Sequence, residues 1–108
     1  MSQQTLNKTE PHKPIMVEEV LKAFQDVALR VFYEGTLGAG GHAAEILKAH
    51  PEIERYIACD RDPQALEIAE KRLFPWKRKI DFVHDNFLHL NEQLARRGIQ
   101  KVDGFFLI

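Results

Sequence analysis

The chain has a single cysteine, Cys59, so no internal disulfide can form, and none of its five histidines stands at metal-ligand spacing from it. No apolar run approaches the roughly 20 residues that span a bilayer, and the polar stretch from Met1 to Lys13 lacks the apolar centre of a secretory signal. Charge of one sign is lacking as well. Fifteen Lys and Arg nearly balance 16 Asp and Glu, for a net charge of -1. Such a chain has no global field to draw in nucleic acid or an anionic membrane, so any nucleic-acid contact needs a local basic patch. These absences imply a reducing, cytoplasmic setting with no membrane and no metal ion. There are no internal repeats or low-complexity tracts, and 108 residues leave room for one domain.

What is present alternates between two periodicities. Residues 1–13 read as a flexible arm, and residues 14–108 as the ordered part. From Met16, the positions Val17, Val20, Leu21 and Phe24 form one helical stripe. Val27 to Tyr33, rich in β-branched and aromatic residues, reads as a strand buried on both faces that stops at Glu34. Helical spacing resumes at Ala43, Ile46 and Leu47 and ends at Pro51. A second strand runs from Arg55 to Cys59 and closes on Asp60. Asp62 then caps a helix with Pro63 in its first position and Leu66, Ala69 and Leu73 on its buried side. A third strand is expected from Ile80 to Val83, a helix with Leu90 and Leu94 inward and Gly98 as its stop, and a fourth strand from Val102 to Ile108. Alternation of this kind makes right-handed βαβ units and a parallel sheet, an α/β fold. Because it ends inside an apolar strand, the chain is expected to be the truncated first half, about four strands, of a doubly wound sheet.

The chemistry-bearing segment is the turn after the first strand. Gly38-Ala39-Gly40-Gly41-His42-Ala43 satisfies G-x-G-x-x-[GA], with Asp60 about twenty residues on, the spacing at which a carboxylate meets the ribose of a bound nucleotide. That pattern alone does not separate NAD from S-adenosylmethionine. Glu34 does, by its sign. A carboxylate beside the glycines repels a pyrophosphate, whereas S-adenosylmethionine brings an ammonium and a sulfonium. Close opposite charges at an effective dielectric near 20 interact by roughly 4 kcal/mol. No Lys-Ser or Lys-Thr follows Gly40, which excludes a Walker loop. The plain alternative is a tight turn and nothing more. At the end of the third strand, Asp85 or Asn86 could accept from an adenine amine while Phe87 covers the ring; the alternative is an Asx turn with a core phenylalanine.

These residues resemble a known family. Glu34-Gly35-Thr36-Leu37-Gly38-Ala39-Gly40-Gly41-His42 is similar to the D-G-T-x-G-x-G-G-H signature of the MraW/RsmH ribosomal RNA methyltransferases, and Asp60-Arg61-Asp62-Pro63-Gln64-Ala65 to their D-R-D-P-x-A. His12, Pro14 and Glu19 resemble the family's H-x-P-V-x-x-x-E, and Asn86-Phe87 and Val102-Asp103-Gly104 fall where the family has similar residues. The resemblance implies a Rossmann-like methyltransferase fold. It also implies use of S-adenosylmethionine to methylate N4 of a cytidine in small-subunit ribosomal RNA. Carried over by position, Gly40, Gly41 and His42 would line the cofactor, Asp60 would hold its ribose and Phe87 would border its adenine. Two departures stand out. Glu34 replaces an aspartate, keeping the charge on a longer arm, and Ile108 stands where the family has a carboxylate, before its catalytic loop.

Transfer of a methyl group to a cytosine amine whose lone pair is delocalised needs orientation and an acceptor for the departing proton. In the family these groups would follow the fourth strand, so the 108-residue chain is expected to bind without turnover. His42, at a helix N-terminus, suits a neutral ring against the cofactor better than a base. His50, His84 and His89 read as surface or turn residues. Lys71, Arg72, Lys77, Arg78 and Lys79 surround Phe74-Pro75-Trp76 and could hold single-stranded RNA, but a solvated helix end with Trp76 on the sheet is the favoured reading. The fourth strand should lie beside the first as an open edge with Phe105, Phe106 and Leu107 only partly covered, a surface that invites self-association. An NAD-binding oxidoreductase domain and a non-enzymatic module that lends its edge strand to a partner are the competing readings.

Overall fold

The computed structural model describes residues 17–107. Its elements follow in the order α1 (Val17–Phe24), β1 (Val31–Glu34), α2 (Gly41–Ala49), β2 (Arg55–Asp60), α3 (Pro63–Arg72), β3 (Ile80–His84), α4 (Leu90–Arg96) and β4 (Gly104–Phe106). The strands form one parallel sheet in the order β3-β2-β1-β4. β2 and β3 are added on one side of β1 and β4 on the other, and at such a switch point a crevice opens at the carboxyl ends of β1 and β4. The expected arm, residues 1–13, together with His12, Pro14 and Ile108, lies outside the described residues.

Burial on both faces explains why the strands lack a polar side. Phe32, Tyr56 and Ala58 point into the larger core with Ala43, Ile46 and Leu47 of α2, Leu66 and Ala69 of α3, and Leu73, which caps α3. Tyr33, Ile57 and Cys59 point the other way, against Leu90 and Leu94 of α4. The stripes read along each helix therefore face the sheet. Asp62 caps α3 as its side chain accepts from Gln64 N at 2.9 Å, with Pro63 first in the helix. Gly98 follows α4 with φ +68°.

The bounds of all four strands differ from the sequence reading, because tertiary pairing decides where each strand starts and stops. The first strand covers Val31–Glu34, so Glu34 belongs to it and Val27–Arg30 do not. Leu29 N instead donates to Glu52 Oε2 at 2.9 Å, and Arg30 O accepts from both Glu54 N and Arg55 N. β4 is shortened to Gly104–Phe106 because Asp103 folds back; its Oδ2 accepts from Arg30 N and Val31 N at 2.9 and 2.8 Å. β2 and β3 each run one residue further than expected, through the pair Asp60 and His84. His50 is not a surface residue: it is buried, with Nδ1 2.7 Å from Glu52 Oε2. The Leu29 amide and then His50 hold that carboxyl down at about 2. Trp76 is partly buried, as the favoured sequence reading has it. Phe74–Lys79 forms a 3-10 turn that packs Trp76 on the core, leaving Phe74 outside under Lys77.

Gly104 shows how tightly β4 is fitted to β1. A Cβ there would lie 2.9–3.1 Å from Phe24, Leu29 and Phe32, two of which stack edge-on at 5.3 Å. Gly104→Ala is expected to destabilise the fold by about 1–3 kcal/mol, the usual cost of overpacking. A urea titration checks this; an unchanged midpoint would show that β4 is not held against this core.

Candidate functional site

The glycine turn is fixed by the strands that surround it. Gly35 N donates to Phe106 O of β4 at 3.0 Å, Leu37 N to Cys59 O of β2 at 2.9 Å, and Gly40 N to Leu37 O at 3.1 Å. Two of its glycines have positive φ, Gly38 at +58° and Gly40 at +88°, where a side chain would be strained. A Cβ on Gly38 would meet nothing within 4 Å, so the backbone here faces open space that a ligand can enter. Gly40 has the opposite reason to lack a side chain, since a Cβ would press on Leu73 and Ala69 of α3 at 3.2–3.4 Å. Gly41 is the first residue of α2 and His42 the second. The His42 ring is 9% exposed and lies 4.8 Å from the Phe106 ring, at the junction of α2 and β4.

Asp60 lies two residues beyond Ala58, the register partner of Glu34, so β2 overhangs β1 and brings its carboxylate to the turn. Asp60 Oδ2 accepts from Gly38 N at 2.7 Å and Oδ1 from Asp62 N at 2.9 Å. A carboxylate offers about four acceptor sites, so two remain for a ribose diol.

Glu34 departs from the expectation of a charged group at the strand's tip. It lies on the same face as Phe32 and is fully buried. Oε1 accepts from Tyr56 Oη at 2.6 Å, while Oε2 is buried with no hydrogen-bond partner. Burial, opposed by the Tyr56 hydroxyl and reinforced by Asp60, pushes its pKa up to about 8. With no cation beside it among the described residues, the side chain is therefore mostly protonated at neutral pH. The site therefore holds a buried acid with one idle oxygen, the kind of group an incoming cation would ionise.

The third strand's exit completes the corner. Asp85 N donates to Asp60 O at 3.0 Å. Asn86 caps the short turn Phe87–His89, its Oδ1 accepting from Leu88 N at 2.9 Å. The Asx bond weighed as an alternative is thus present, which engages that oxygen and leaves Asp85 as the better-placed acceptor. Phe87 packs partly buried on Tyr33, Ile57 and Cys59, close to Gly35, where a Cβ would lie 2.8 Å from Phe87 Cβ. His89, the backbone of Asn86 and buried Gln93 surround Asp85; hydrogen bonds from His89 first, then Gln93, hold its carboxyl at about 2.

The structure therefore brings Glu34, Gly38, Gly40, Gly41, His42, Asp60, Asn86 and Phe87 to the carboxyl ends of β1, β2 and β3. Sequence reasoning missed Tyr56 and Gln93. Gln93 carried a signal, because it shares the i, i+3, i+4 face of Leu90 and Leu94. The basic segment is elsewhere. It immediately precedes Ile80, the first residue of β3, and so lies at the opposite end of the parallel strands from the glycine turn. Among the described residues no helix is long and apolar enough to cross a membrane.

Known proteins resemble this chain in sequence and in fold. Over 77 residues the chain is 58% identical to the Ribosomal RNA small subunit methyltransferase H of Protochlamydia amoebophila, covering 71% of this chain and 24% of that protein. Over 96 residues it is 40% identical to the protein of that name from Geotalea uraniireducens, covering 89% and 31%. The chain thus spans about a quarter to a third of the length of these relatives. Among solved structures, the O-methyltransferase from Bacillus cereus in complex with SAH superposes with a TM-score of 0.72 at 16% identity, over 98% of this chain and 49% of that one. The Precorrin-6y C5,15-methyltransferase of Geobacter metallireducens gives 0.67 at 17% identity, over 94% and 55%. At those identities the likeness is one of fold, and it is the Rossmann-like methyltransferase fold. The family model described as the MraW methylase family matches residues 9–107, nearly the whole sequence, and the chain belongs to that family.

Proposed function

We propose that this chain forms the S-adenosylmethionine-binding part of a small-subunit ribosomal RNA methyltransferase acting on N4 of a cytidine. Residues 14–108 would be the start of that methyltransferase domain, and its setting the cytoplasm. The observation that carries the reading is the idle, fully buried Oε2 of Glu34 beneath a glycine turn that is open above Gly38. A buried carboxyl oxygen without a partner is costly unless something meets it. A cationic methionine end would meet it; a pyrophosphate would not. Membership of the MraW family and a fold shared with a protein solved with SAH support the same ligand, and nothing in them favours NAD.

In this reading Glu34 balances the cationic end and Gly38, Gly40 and Gly41 give the ligand access to the backbone. Asp60 takes the ribose hydroxyls with its remaining lone pairs, and Phe87 covers the adenine edge with Asn86 beside it. His42, packed on Phe106, would border the sulfur side. The bound cofactor supplies an electrophilic methyl group, and this segment holds and orients it. No described residue is placed as a proton acceptor for the target amine, and the 108-residue polypeptide is expected to bind without turnover.

Calorimetry with S-adenosylhomocysteine and NAD side by side tests the assignment. Saturable binding of the first is expected, with Asp60→Asn weakening it about 10-fold or more, as when a hydrogen bond to a charged group is lost. Saturable NAD binding instead would overturn it.

Glu34 makes a second expectation that depends on pH. Its folded pKa of about 8 lies above the ordinary 4.5, so the folded chain binds the proton more tightly than the unfolded one. Stability from this group is full below pH 4.5 and declines as pH rises towards 8, by up to about 1.4 kcal/mol per pH unit. Binding of the cationic ligand should tighten over the same window. Glu34→Gln should remove both slopes in melting and binding profiles between pH 5 and about 8; slopes that survive the substitution would place the titrating group elsewhere.

The edge of β4 supports one more proposal. Phe105 is 56% exposed and Leu107 partly so, and among the described residues β4 pairs only with β1. The chain is expected to associate with a second copy through this edge at micromolar concentration and above. Light scattering showing a stable monomer would contradict it.

A further inference from the structure

Gln93 is a fully enclosed amide on the α4 side of the sheet, 1% exposed among Tyr33, Cys59, Leu90 and Leu94. Its neighbours on the helix face are leucines, and packing alone would be served by a third. Burying a primary amide instead is costly unless each of its atoms is met. Here each is. Oε1 accepts from Tyr33 Oη at 2.7 Å. Nε2 donates to Asp85 Oδ2 at 3.0 Å and to Asn86 O at 3.1 Å, with Cys59 Sγ at 3.7 Å. Tyr33 thus fixes the amide's direction, and the amide then grips one side-chain atom and one main-chain atom of the segment leading into Phe87.

We propose that Gln93 is a positioning residue for base recognition: by clamping Asp85 Oδ2 and Asn86 O from beneath, it aims the Asp85 carboxylate at an amino group of the bound base. The proposal rests on the reading that the Asp85–Phe87 corner takes the cofactor's adenine. The division of labour within Asp85 supports it. Oδ1 is occupied by Asn86 N at 2.7 Å and His89 Nδ1 at 2.8 Å. Among the described residues Oδ2 meets Gln93 alone, which leaves it a lone pair, and the side chain is 29% exposed. The groups around the carboxyl all favour its ionised form, so it is an acceptor and not a donor. An ionised acceptor at this place favours adenine, whose exocyclic group donates, over hypoxanthine, which carries a carbonyl there. Fixing the carboxylate's rotamer is what turns that chemical preference into selectivity.

Calorimetry on the 108-residue chain with S-adenosylhomocysteine and S-inosylhomocysteine separates positioning from mere structural support. The chain should prefer the adenine ligand by about 10-fold or more. Gln93→Leu should bring the preference to about two-fold, chiefly through loss of the adenine ligand, and should have no further effect on it in an Asp85→Ala background. Tyr33→Phe, which keeps the buried ring and frees only the Gln93 oxygen, should give an intermediate preference; it serves where Gln93→Leu melts too low to assay. A Gln93→Leu or Tyr33→Phe chain that binds both ligands more weakly but in the original ratio would overturn the proposal. So would equal binding of the two ligands by the unsubstituted chain, while the cofactor reading would survive. Binding of neither ligand would remove that reading and the proposal together.

Discussion

Asp60 is the tie on which the rest of this site depends. One carboxylate accepts from Gly38 N and from Asp62 N, and so joins the turn after β1 to the first step of α3. Those two backbone donors come from loops with no regular pairing between them. Without a shared acceptor, the glycine turn would keep its bonds to β4 and β2 but lose the contact that sets its outer limb. The register makes this possible. β1 ends at Glu34 opposite Ala58, and β2 continues for two residues more, so the longer strand carries its acid over the shorter strand's turn. D-R-D-P is then a single device: the first aspartate holds the glycine turn, the second caps α3 at Gln64 N, and the proline starts the helix.

Beneath that tie lies a second carboxyl of opposite character. Asp60 is satisfied by two backbone donors, whereas Glu34 is buried, shares a proton-rich contact with Tyr56 and leaves one oxygen unmet. The contrast gives the site a direction. Hydroxyl donors have a ready acceptor at the outer position, and positive charge has a reason to enter at the inner one. The Tyr56 hydroxyl that meets Glu34 is itself held in place, its ring 5.2 Å from that of Phe32.

The order of elements, the parallel sheet and the inward faces of the helices were legible because periodicity and capping are local signals: Asp62 with Pro63, Gly98 after α4, the leucines at 90 and 94. Strand ends were less so. Val27 to Arg30 has the composition of a strand, but pairing is decided by where β2 begins, and Arg30 turns its carbonyl to Glu54 and Arg55 instead. The fate of Glu34 was hidden for a related reason. In a sheet covered on both faces, alternation reports which face a residue takes but not whether it is solvated. Gln93 reads as an ordinary polar helix residue until its partners, 60 and 8 positions away in Tyr33 and Asp85, are brought around it.

Backbone amide chemical shifts followed during titration of the 108-residue chain with S-adenosylhomocysteine test the central claim most directly. The account predicts saturable shifts concentrated at Gly38, Gly40, Asp60 and Phe87, with the 3-10 turn at Phe74–Lys79 unmoved. A folded chain whose glycine-turn amides stay fixed at saturating ligand, or move with a pyrophosphate-bearing nucleotide in its place, would contradict it.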